Sequence, residues 1–470
     1  MKKFTFKRQL LFVMLMLLGC LSIQAVDDGL ITNQVVINLD EPGTLPQKIS
    51  ASDKYRITNL KVKGDINGTD LGLLREMAGV SVTGEKTDGE LANLDLSEAK
   101  IVSGGDYYYQ DYSDNKHYTS DDELGVGFFL KCKGLKAITL PVKVKSVGES
   151  AFQECSCLET INLPSGITSI GNYAFLECEN LTSVTLPSGL VSIGDRAFYG
   201  CSGLTSVVLP SSITKMGECV FYYCKNLSSV KLPSEITAIS NSAFVGCISL
   251  KNIELPAGIT SIGNNAFTGC SNLQNINLPS GITTIGSGAF WDCSNLTNVI
   301  LPSALTSIGY IAFVNCSNLA NVTLSSNITS IGSSAFSGCK SLKNLTISKD
   351  VTSIKDIRFN NDYEDLELES VYVAWENPIE AGSFFNRIKI SNCTLYVPQG
   401  TKEAYANADV WKDFGNIIEY DATGIDKVTN RSDVKEISRY SLKGQRVTSP
   451  TKGVNIVVYS DGSIKKVAVQ

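Results

Sequence analysis

A period of 23 residues runs through the middle of the chain and restricts the possible fold more than any other feature. Ten cysteines keep this period, and ten phenylalanines keep it three residues earlier. The cysteines are Cys132, Cys155, Cys178, Cys201, Cys224, Cys247, Cys270, Cys293, Cys316 and Cys339. The phenylalanines run from Phe129 to Phe336, and a proline marks a turn in most units. Sequence periods of about 20 to 50 residues are typical of solenoids.

The unit 175–197 shows how each coil is expected to fold. Its alternating segment 184–186 predicts a strand that ends at Pro187, because proline cannot donate to a ladder. A second short strand is expected at 192–193. The side chains predicted to point inward are Phe175, Cys178, Leu181, Val184, Leu186, Leu190, Ile193 and Ala197.

A single coil buries too little apolar surface to fold alone. About six large apolar side chains, at about 1.5–3 kcal/mol each, do not offset about 1.5 kcal/mol of ordering entropy for every residue. Stacked coils share their apolar faces and complete one another's backbone hydrogen bonds. We therefore predict a right-handed, β-rich solenoid of about ten coils with caps at both ends, its parallel strands about 4.8 Å apart.

These residues resemble a known family. The pattern C-x-x-L-x-x-[IV]-x-L-P-x-x-[IL]-x-x-I-G-x-x-A-F, over about 129–359, is similar to the BspA-type leucine-rich repeat of bacterial surface proteins, including those of Bacteroidetes. Ser325 and Ser348 replace the turn proline, and Phe359 keeps the period without a following cysteine. These departures indicate that the regular coils stop near 355.

The chain divides into five segments, and the resemblance extends beyond the repeats to the two caps. We expect a signal peptide at 1–25, an N-terminal cap at 26–118, repeats at 119–359, a C-terminal cap at 360–421 and a tail at 422–470. Alternating strands and Lys-Gly and Asp-Gly turns predict a small antiparallel sheet in the tail. The tail resembles the C-terminal sorting domain of type IX secretion substrates, and a terminal β-module without an export role is the alternative.

The first 25 residues have the pattern of a secretory leader. A basic start precedes an apolar run over 10–18 and a small-residue exit at Ala25, so cleavage after Ala25 is predicted. The segment 17–20 also resembles a lipobox, which makes lipidation at Cys20 the alternative. No later segment has the run of about 18 apolar residues that spans a bilayer. The protein is expected to be secreted or to lie at the cell surface, associated with the outer membrane.

Charge and composition argue against several functional classes. Without the leader's four basic residues the chain has 37 Lys and Arg against 47 Asp and Glu, which disfavours nucleic-acid binding. His117 is the single histidine, so every His-dependent catalytic or metal site would need it. No phosphate loop or nucleophile elbow occurs. We therefore predict no enzymatic activity, no cofactor and no metal, with a carboxylate-dependent hydrolase as the third hypothesis.

Periodic cysteines in an exported protein first suggest disulfides. Equivalent positions on stacked coils hold their Cβ atoms about 4.8 Å apart, beyond the range of about 3.5–4.5 Å found in disulfides. We therefore predict a buried ladder of unpaired thiols. Cys157, Cys219 and Cys393 lie off this ladder, and the C-x-C of Cys155 and Cys157 is a weak metal signal.

Outward-facing columns carry the candidate binding residues. One set repeats on the strand and forms either a binding face or a polar ladder between coils: Asn252, Asn275, Asn298 and Asn321. The other set breaks the pattern of the turn after the periodic phenylalanine: Tyr199, Tyr222, Tyr223 and Trp291. Exposed tyrosine and tryptophan are enriched in binding hot spots. A tyrosine-rich segment at 107–118 is either a ligand contact or a loose excursion of the N-terminal cap.

The resemblance also implies a function. It indicates an exported adhesion protein that binds host extracellular-matrix or surface proteins, or other bacteria. Capture of glycans or peptides for nutrient uptake is the alternative. The sequence leaves the ligand open, because the repeats specify a scaffold and leave the outward residues free to vary.

Overall fold

The computed structural model describes most of the chain. The described residues are 29–324, 327–328, 330–349, 351–354, 359, 366–420 and four strands between 436 and 469. The expected signal peptide and its two alternative processing sites lie outside these residues.

The segment before the first cysteine coil contains two helices and six strands. They are β1 (Val35–Asn38), α1 (Leu45–Lys48), β2 (Asn59–Ile66), α2 (Gly68–Met77), β3 (Asn93–Asp95), β4 (Ala99–Ile101), β5 (Gly104–Gln110) and β6 (Lys116–Thr119). A capping box starts α2, where Asn67 accepts from the Thr69 amide and Asp70 accepts from the Asn67 amide. Strands β1, β2 and β3 pair in parallel, and β5 and β6 form an antiparallel hairpin.

Most coils of the repeat contribute two short strands, one on each of two sides. The first side holds β7 (Ala137–Thr139), β9 (Thr160–Asn162), β12 (Ser206–Val208), β14 (Ser229–Lys231), β16 (Asn252–Ile253), β18 (Asn275–Ile276), β20 (Asn298–Val299), β22 (Asn321–Thr323) and β24 (Asn344–Ile347). The second side holds β8 (Ser146–Val147), β10 (Ser169–Ile170), β11 (Ser192–Ile193), β13 (Lys215–Met216), β15 (Ala238–Ile239), β17 (Ser261–Ile262), β19 (Thr284–Ile285), β21 (Ser307–Ile308) and β23 (Ser330–Ile331). Paired strands are parallel, with each residue opposite the one 23 positions later.

The unit 175–197 folds largely as its sequence predicts. Its second strand lies at 192–193, and all eight of its predicted inward side chains are buried. The predicted strand at 184–186 is reduced to a single bridge between Ser183 and Ser206. The predicted alternation of buried and exposed side chains is present, since positions 184 and 186 are buried and position 185 is exposed.

The parallel stack continues after the last periodic cysteine. The sheet that contains β24 is extended by β25 (Ser370–Val373), β26 (Thr394–Pro398) and β27 (Asn416–Tyr420), with α3 (Lys402–Ala406) between the last two. At the other end, β3 pairs with β7. The predicted solenoid class is confirmed, but the stack has more turns than the ten predicted, because coils of other lengths join it at both ends.

The tail contains a separate antiparallel sheet. Its strands are β28 (Glu436–Ser441), β29 (Arg446–Val447), β30 (Gly453–Tyr459) and β31 (Ile464–Val469), in the order β29-β28-β30-β31. This is the small terminal sheet that the alternating tail sequence predicts.

The periodic phenylalanines form a continuous stack along the third side of each coil. Neighbouring rings from Phe129 to Phe359 lie 4.8–5.9 Å apart between centroids, and each ring is almost fully buried. Their backbones also bridge the coils, as where the Phe244 amide donates to the Ala266 carbonyl at 2.9 Å. This side is therefore hydrogen-bonded from coil to coil although its residues form no strand.

The periodic cysteines are unpaired and buried, as predicted. From Cys155 onward, each thiol donates to the carbonyl of the phenylalanine 26 residues earlier, as Cys155 does to Phe129 at 3.0 Å and Cys316 does to Phe290 at 3.2 Å. Burial raises the pKa of the Cys270 thiol to about 12. The thiols therefore stay protonated at neutral pH, which keeps them as donors and makes them poor nucleophiles.

We expect Phe244→Ala to lower the stability of the array by about 3–5 kcal/mol, since it opens a cavity in the buried stack. Its ring lies between those of Phe221 and Phe267, at 5.6 and 5.4 Å. Thermal unfolding followed by circular dichroism measures the effect. Tyr310→Ala, which removes an exposed ring, is the control and should unfold near the wild-type temperature. Equal melting of the two variants would contradict the buried stack.

We also expect the ten periodic thiols to react with an alkylating reagent only after denaturation. Mass spectrometry of protein alkylated in denaturant without reductant should show all ten modified, since none is in a disulfide. The native protein should remain unmodified at these positions because the side chains are buried. Thiols that become reactive only after reduction would show that disulfides form.

Candidate functional site

The turn on the phenylalanine side carries two columns of residues that are exposed or half-buried in most coils. The residue after each phenylalanine forms the first column, which includes Tyr199, Tyr222 and Trp291, and Tyr223 lies in the second. We call these four residues the aromatic stripe. Trp291 and Tyr223 are the more exposed members, at 37% and 46% of their full surface.

Three members of the stripe form one rigid cluster. The rings of Tyr199 and Tyr222 stack 4.7 Å apart with an angle of 4° between their planes. Tyr223 packs its ring 4.6 Å from that of Tyr222 at an angle of 70°. Burial raises the pKa of the Tyr199 and Tyr222 hydroxyls, which therefore stay protonated at neutral pH. Tyr222 supports its neighbours, while Tyr223 is the ring most open to a ligand.

Trp291 stands apart from this cluster. It lies three coils beyond Tyr222, about 14 Å away at about 4.8 Å per coil. Val245 and Thr268 occupy the two positions between them in the same column. The sequence-predicted aromatic residues thus share one side of the solenoid, but only the tyrosines touch one another.

The asparagine column faces outward from the strands, as alternation predicts. Asn252, Asn275 and Asn321 are exposed, and the side chain of Asn298 is outside the described structure. At the C-terminal end of the column two side-chain amides are hydrogen-bonded to each other, since Asn344 Nδ2 donates to Asn321 Oδ1 at 2.9 Å. This bond supports the ladder hypothesis at that end of the column and leaves the binding hypothesis untested.

The structure contains a second polar ladder that the sequence patterns above did not predict. In four coils, the Asn or Asp that lies two residues after the isoleucine of the second-side strand accepts a hydrogen bond from the backbone amide of the equivalent residue in the next coil. Asn172 Oδ1 accepts from Asp195 at 2.9 Å, and Asn241 Oδ1 accepts from Asn264 at 2.8 Å. The recurrence of Asn and Asp two residues after this isoleucine is the sequence signal that indicates the ladder. These side chains stabilise the stack, and their oxygens already accept hydrogen bonds from the neighbouring coil.

The tyrosine-rich segment at 107–118 is a packed hairpin, so its interpretation as a loose excursion is wrong. Tyr108 is fully buried and donates to the Val126 carbonyl at 2.9 Å. The ring of Tyr109 lies between His117, 5.4 Å away, and the Arg75 guanidinium, 5.1 Å away. Arg75 comes from α2, far away in sequence, which explains why local composition suggested a loop.

A small cavity of about 30 Å³ lies beside this hairpin, with Arg75, Asp111, Tyr112 and Lys131 among its lining residues. That volume has room for only a few water molecules. Arg75 is buried, and its guanidinium donates to the carbonyls of Gly127 and Phe128 at 2.6 and 3.1 Å. The arrangement fixes the hairpin to the solenoid and offers little room for an organic ligand.

Asp111 organises the tip of the hairpin. Its carboxylate accepts from Asn115 Nδ2 at 3.0 Å and from the Ser113 amide at 2.8 Å, and it lies 3.3 Å from His117 Nε2. These hydrogen bonds, led by that from the Asn115 side chain, lower the pKa of Asp111 to about 2. The carboxylate is therefore an acceptor in a turn and is poorly suited to general acid–base chemistry at neutral pH.

Within the described ranges, His, Cys, Asp and Glu side chains are nowhere grouped to hold a metal ion. Every helix in that part of the chain is too short or too polar to cross a bilayer.

Comparison with known proteins identifies the repeat. The family model described as the BspA type leucine rich repeat region matches residues 122–251 and 237–365, which together make up more than half of the chain. No curated protein matches the sequence.

Solved structures of bacterial leucine-rich repeat proteins are also similar to the chain. A leucine-rich repeat protein from Bacteroides ovatus is 24% identical, covers 65% of this chain and 89% of its own, and has a TM-score of 0.47. A leucine-rich cell surface protein from Faecalibacterium prausnitzii is 27% identical over 73% of this chain and 90% of its own, with a TM-score of 0.43. A leucine-rich repeat protein from T. pallidum is 34% identical over 32% of this chain and 71% of its own, with a TM-score of 0.31.

We expect the carboxyl group of Asp111 to titrate with a midpoint of about 2, below its usual 3.8. Because the folded pKa is lowered, this group stabilises the hairpin above about pH 4, and the contribution is lost as the pH falls towards 2. Carbon-13 NMR of aspartate-labelled protein measures the midpoint. Asn115→Ala should raise it, since it removes the main hydrogen bond. A wild-type midpoint near 3.8 would contradict this hydrogen-bond network.

Proposed function

The chain belongs to the BspA-type leucine-rich repeat family, and from this membership we propose that it is an exported cell-surface binding protein. Its partners would be host extracellular-matrix or surface proteins, or the surfaces of other bacteria. The leader at 1–25 would direct export, and the tail at 422–470 would act as a sorting domain that leads to the outer membrane surface.

The observation that carries this proposal is the separation of a constant core from a varied surface. The buried columns repeat Phe, Cys, Leu and Ile in almost every coil. The outward strand column instead changes from coil to coil and includes Val208 and Ile300, exposed at 60% and 76%. Exposed aliphatic and aromatic side chains on a rigid surface are typical of protein-binding sites.

The electrostatics favour binding over hydrolysis. A carboxylate-dependent hydrolase needs an acid whose pKa is raised by burial or by a neighbouring charge. The carboxyl groups with a resolved shift in the described residues all have lowered pKa values instead, owing to hydrogen bonds and lysine neighbours. They are Asp95, Glu98, Asp111, Asp121, Glu367 and Asp409.

We expect the mature chain to bind at least one immobilised host matrix protein or bacterial surface preparation, measured by biolayer interferometry. Paired variants locate the contact: Tyr223→Ala with Trp291→Ala on the stripe, and Val208→Lys with Ile300→Lys on the strand face. One pair should weaken binding about tenfold or more, since hot-spot residues contribute more than about 1.4 kcal/mol.

Val142→Lys is the matched control, because it changes another exposed valine outside both surfaces. It should leave the affinity unchanged. Failure to bind any of these partners would refute the proposed function, and equal effects of the control and the paired variants would refute its location on the repeats.

A further inference from the structure

The ring of Tyr223 is held in one orientation by a glycine of the next coil. Gly246 follows Tyr223 by 23 residues, and a Cβ atom at Gly246 would collide with Cδ1 and Cε1 of the Tyr223 ring. The ring therefore rests on the bare Cα of Gly246, and Tyr222 packs against it from the preceding position. It remains 46% exposed. A fixed, exposed ring loses little conformational entropy when a ligand covers it.

A second bare position lies beyond Gly246. A Cβ atom at Gly269 would meet only the backbone of Gly246, at 3.6 Å, so the space above Gly269 is open. The backbone alone does not require glycine here, because Glu177 and Asp292 adopt the same left-handed conformation at equivalent positions, each with φ of 58°. Gly246 itself is buried under the Tyr223 ring, so the open floor between Tyr223 and Trp291 lies above Gly269.

This floor is uncharged. The two turns that form it, residues 242–248 and 265–271, contain no Asp, Glu, Lys, Arg or His. Their polar groups are neutral hydroxyls and amides, including Ser242, Asn265 and Ser271. The acidic residue at the far side, Asp292, already accepts a hydrogen bond from Asn315 Nδ2 at 2.8 Å. A charged ligand lying on the floor would lose hydration without finding an opposite charge.

Neutral sugar rings have the chemistry that fits this surface. Their C–H faces are attracted to the electron-rich faces of tyrosine and tryptophan. Their hydroxyl groups pair with neutral side-chain donors and acceptors of the kind that flank the floor. We infer that the aromatic stripe binds a neutral glycan chain of a surface glycoprotein, which lies on the Tyr223 ring and across Gly269 towards Trp291.

The spacing of the two aromatic residues adds a length requirement. Trp291 lies three coils from the cluster, about 14 Å along the solenoid. One sugar ring cannot touch both Tyr223 and Trp291, whereas a short chain running along the axis can. This inference rests on the proposed function and names the chemistry recognised at one of its surfaces.

The first experiment uses an array of neutral, sialylated and sulfated oligosaccharides with the mature chain. We expect binding to neutral glycans of several sugar units, with much weaker binding of the corresponding monosaccharides. Fluorescence titration with the best neutral glycan should shift the emission of Trp291, because the other two tryptophans, Trp375 and Trp411, are buried. Binding confined to charged glycans, or no glycan binding, would overturn the inference.

Three variants test the location. Tyr223→Ala and Trp291→Ala should each weaken neutral-glycan binding about tenfold or more. Gly269→Glu should do the same by covering the floor, and the melting temperature should fall only slightly, since Glu177 adopts the equivalent left-handed conformation. Tyr310→Ala, an exposed tyrosine outside the stripe, is the control. Wild-type affinity in all three variants would overturn the proposed site.

A glycoprotein partner separates this inference from the proposed function. Enzymatic removal of the glycans from a bound glycoprotein should abolish binding through the stripe. Unchanged binding after deglycosylation would refute the glycan inference and leave the proposed function standing. Absence of binding to both forms and to every other surface preparation would refute the proposed function as well.

Discussion

A hydrogen bond from a cysteine thiol joins each coil to the coil before it. The thiol of a periodic cysteine donates to the carbonyl of the phenylalanine one coil earlier, at 3.0–3.2 Å in all nine pairs from Cys155 to Cys339. The phenylalanine rings stack beside these bonds. The same carbonyls also accept from the backbone amide of the cysteine three residues later, as Phe129 does from Cys132 at 3.1 Å. A thiol suits this position because it is small and apolar and still donates a second hydrogen bond to that carbonyl.

Because the coils depend on one another mainly through buried groups, most outward positions are free to vary in sequence. Core side chains determine the spacing and register of the stack, and many outward positions, apart from the Asn and Asp ladders, are held in place without contributing to it. The exposed Val208 and Ile300 occupy such positions on the strands, and Trp291 does so on the turn. A rigid frame of this kind reduces the entropy lost on binding, because the contact residues are already ordered.

The sequence predicted those features that repeat. The period of Phe175 and Cys178 identified the buried side, and the alternation around Thr185 identified the exposed side. Contacts between distant segments were not predictable. The Arg75 guanidinium packs against Tyr109 of the hairpin and donates to Gly127 and Phe128, which lie more than 50 residues after it in the sequence. The partner of each thiol was also missed, because periodicity shows that a side chain is buried but does not show which backbone carbonyl it meets.

The left-handed turn position explains how one frame carries different surfaces. Residue 223 is a tyrosine with φ of 56°, residue 246 is a glycine with φ of 69°, and both have the same place in their coils. Glycine adopts this conformation without strain, and the strain for other residues is only about 1–2 kcal/mol. A side chain can therefore be present in one coil and absent in the next without any change in the core. On this surface the absence of a side chain at Gly246 matters as much as the ring of Tyr223, because the ring occupies the space that a side chain at residue 246 would fill.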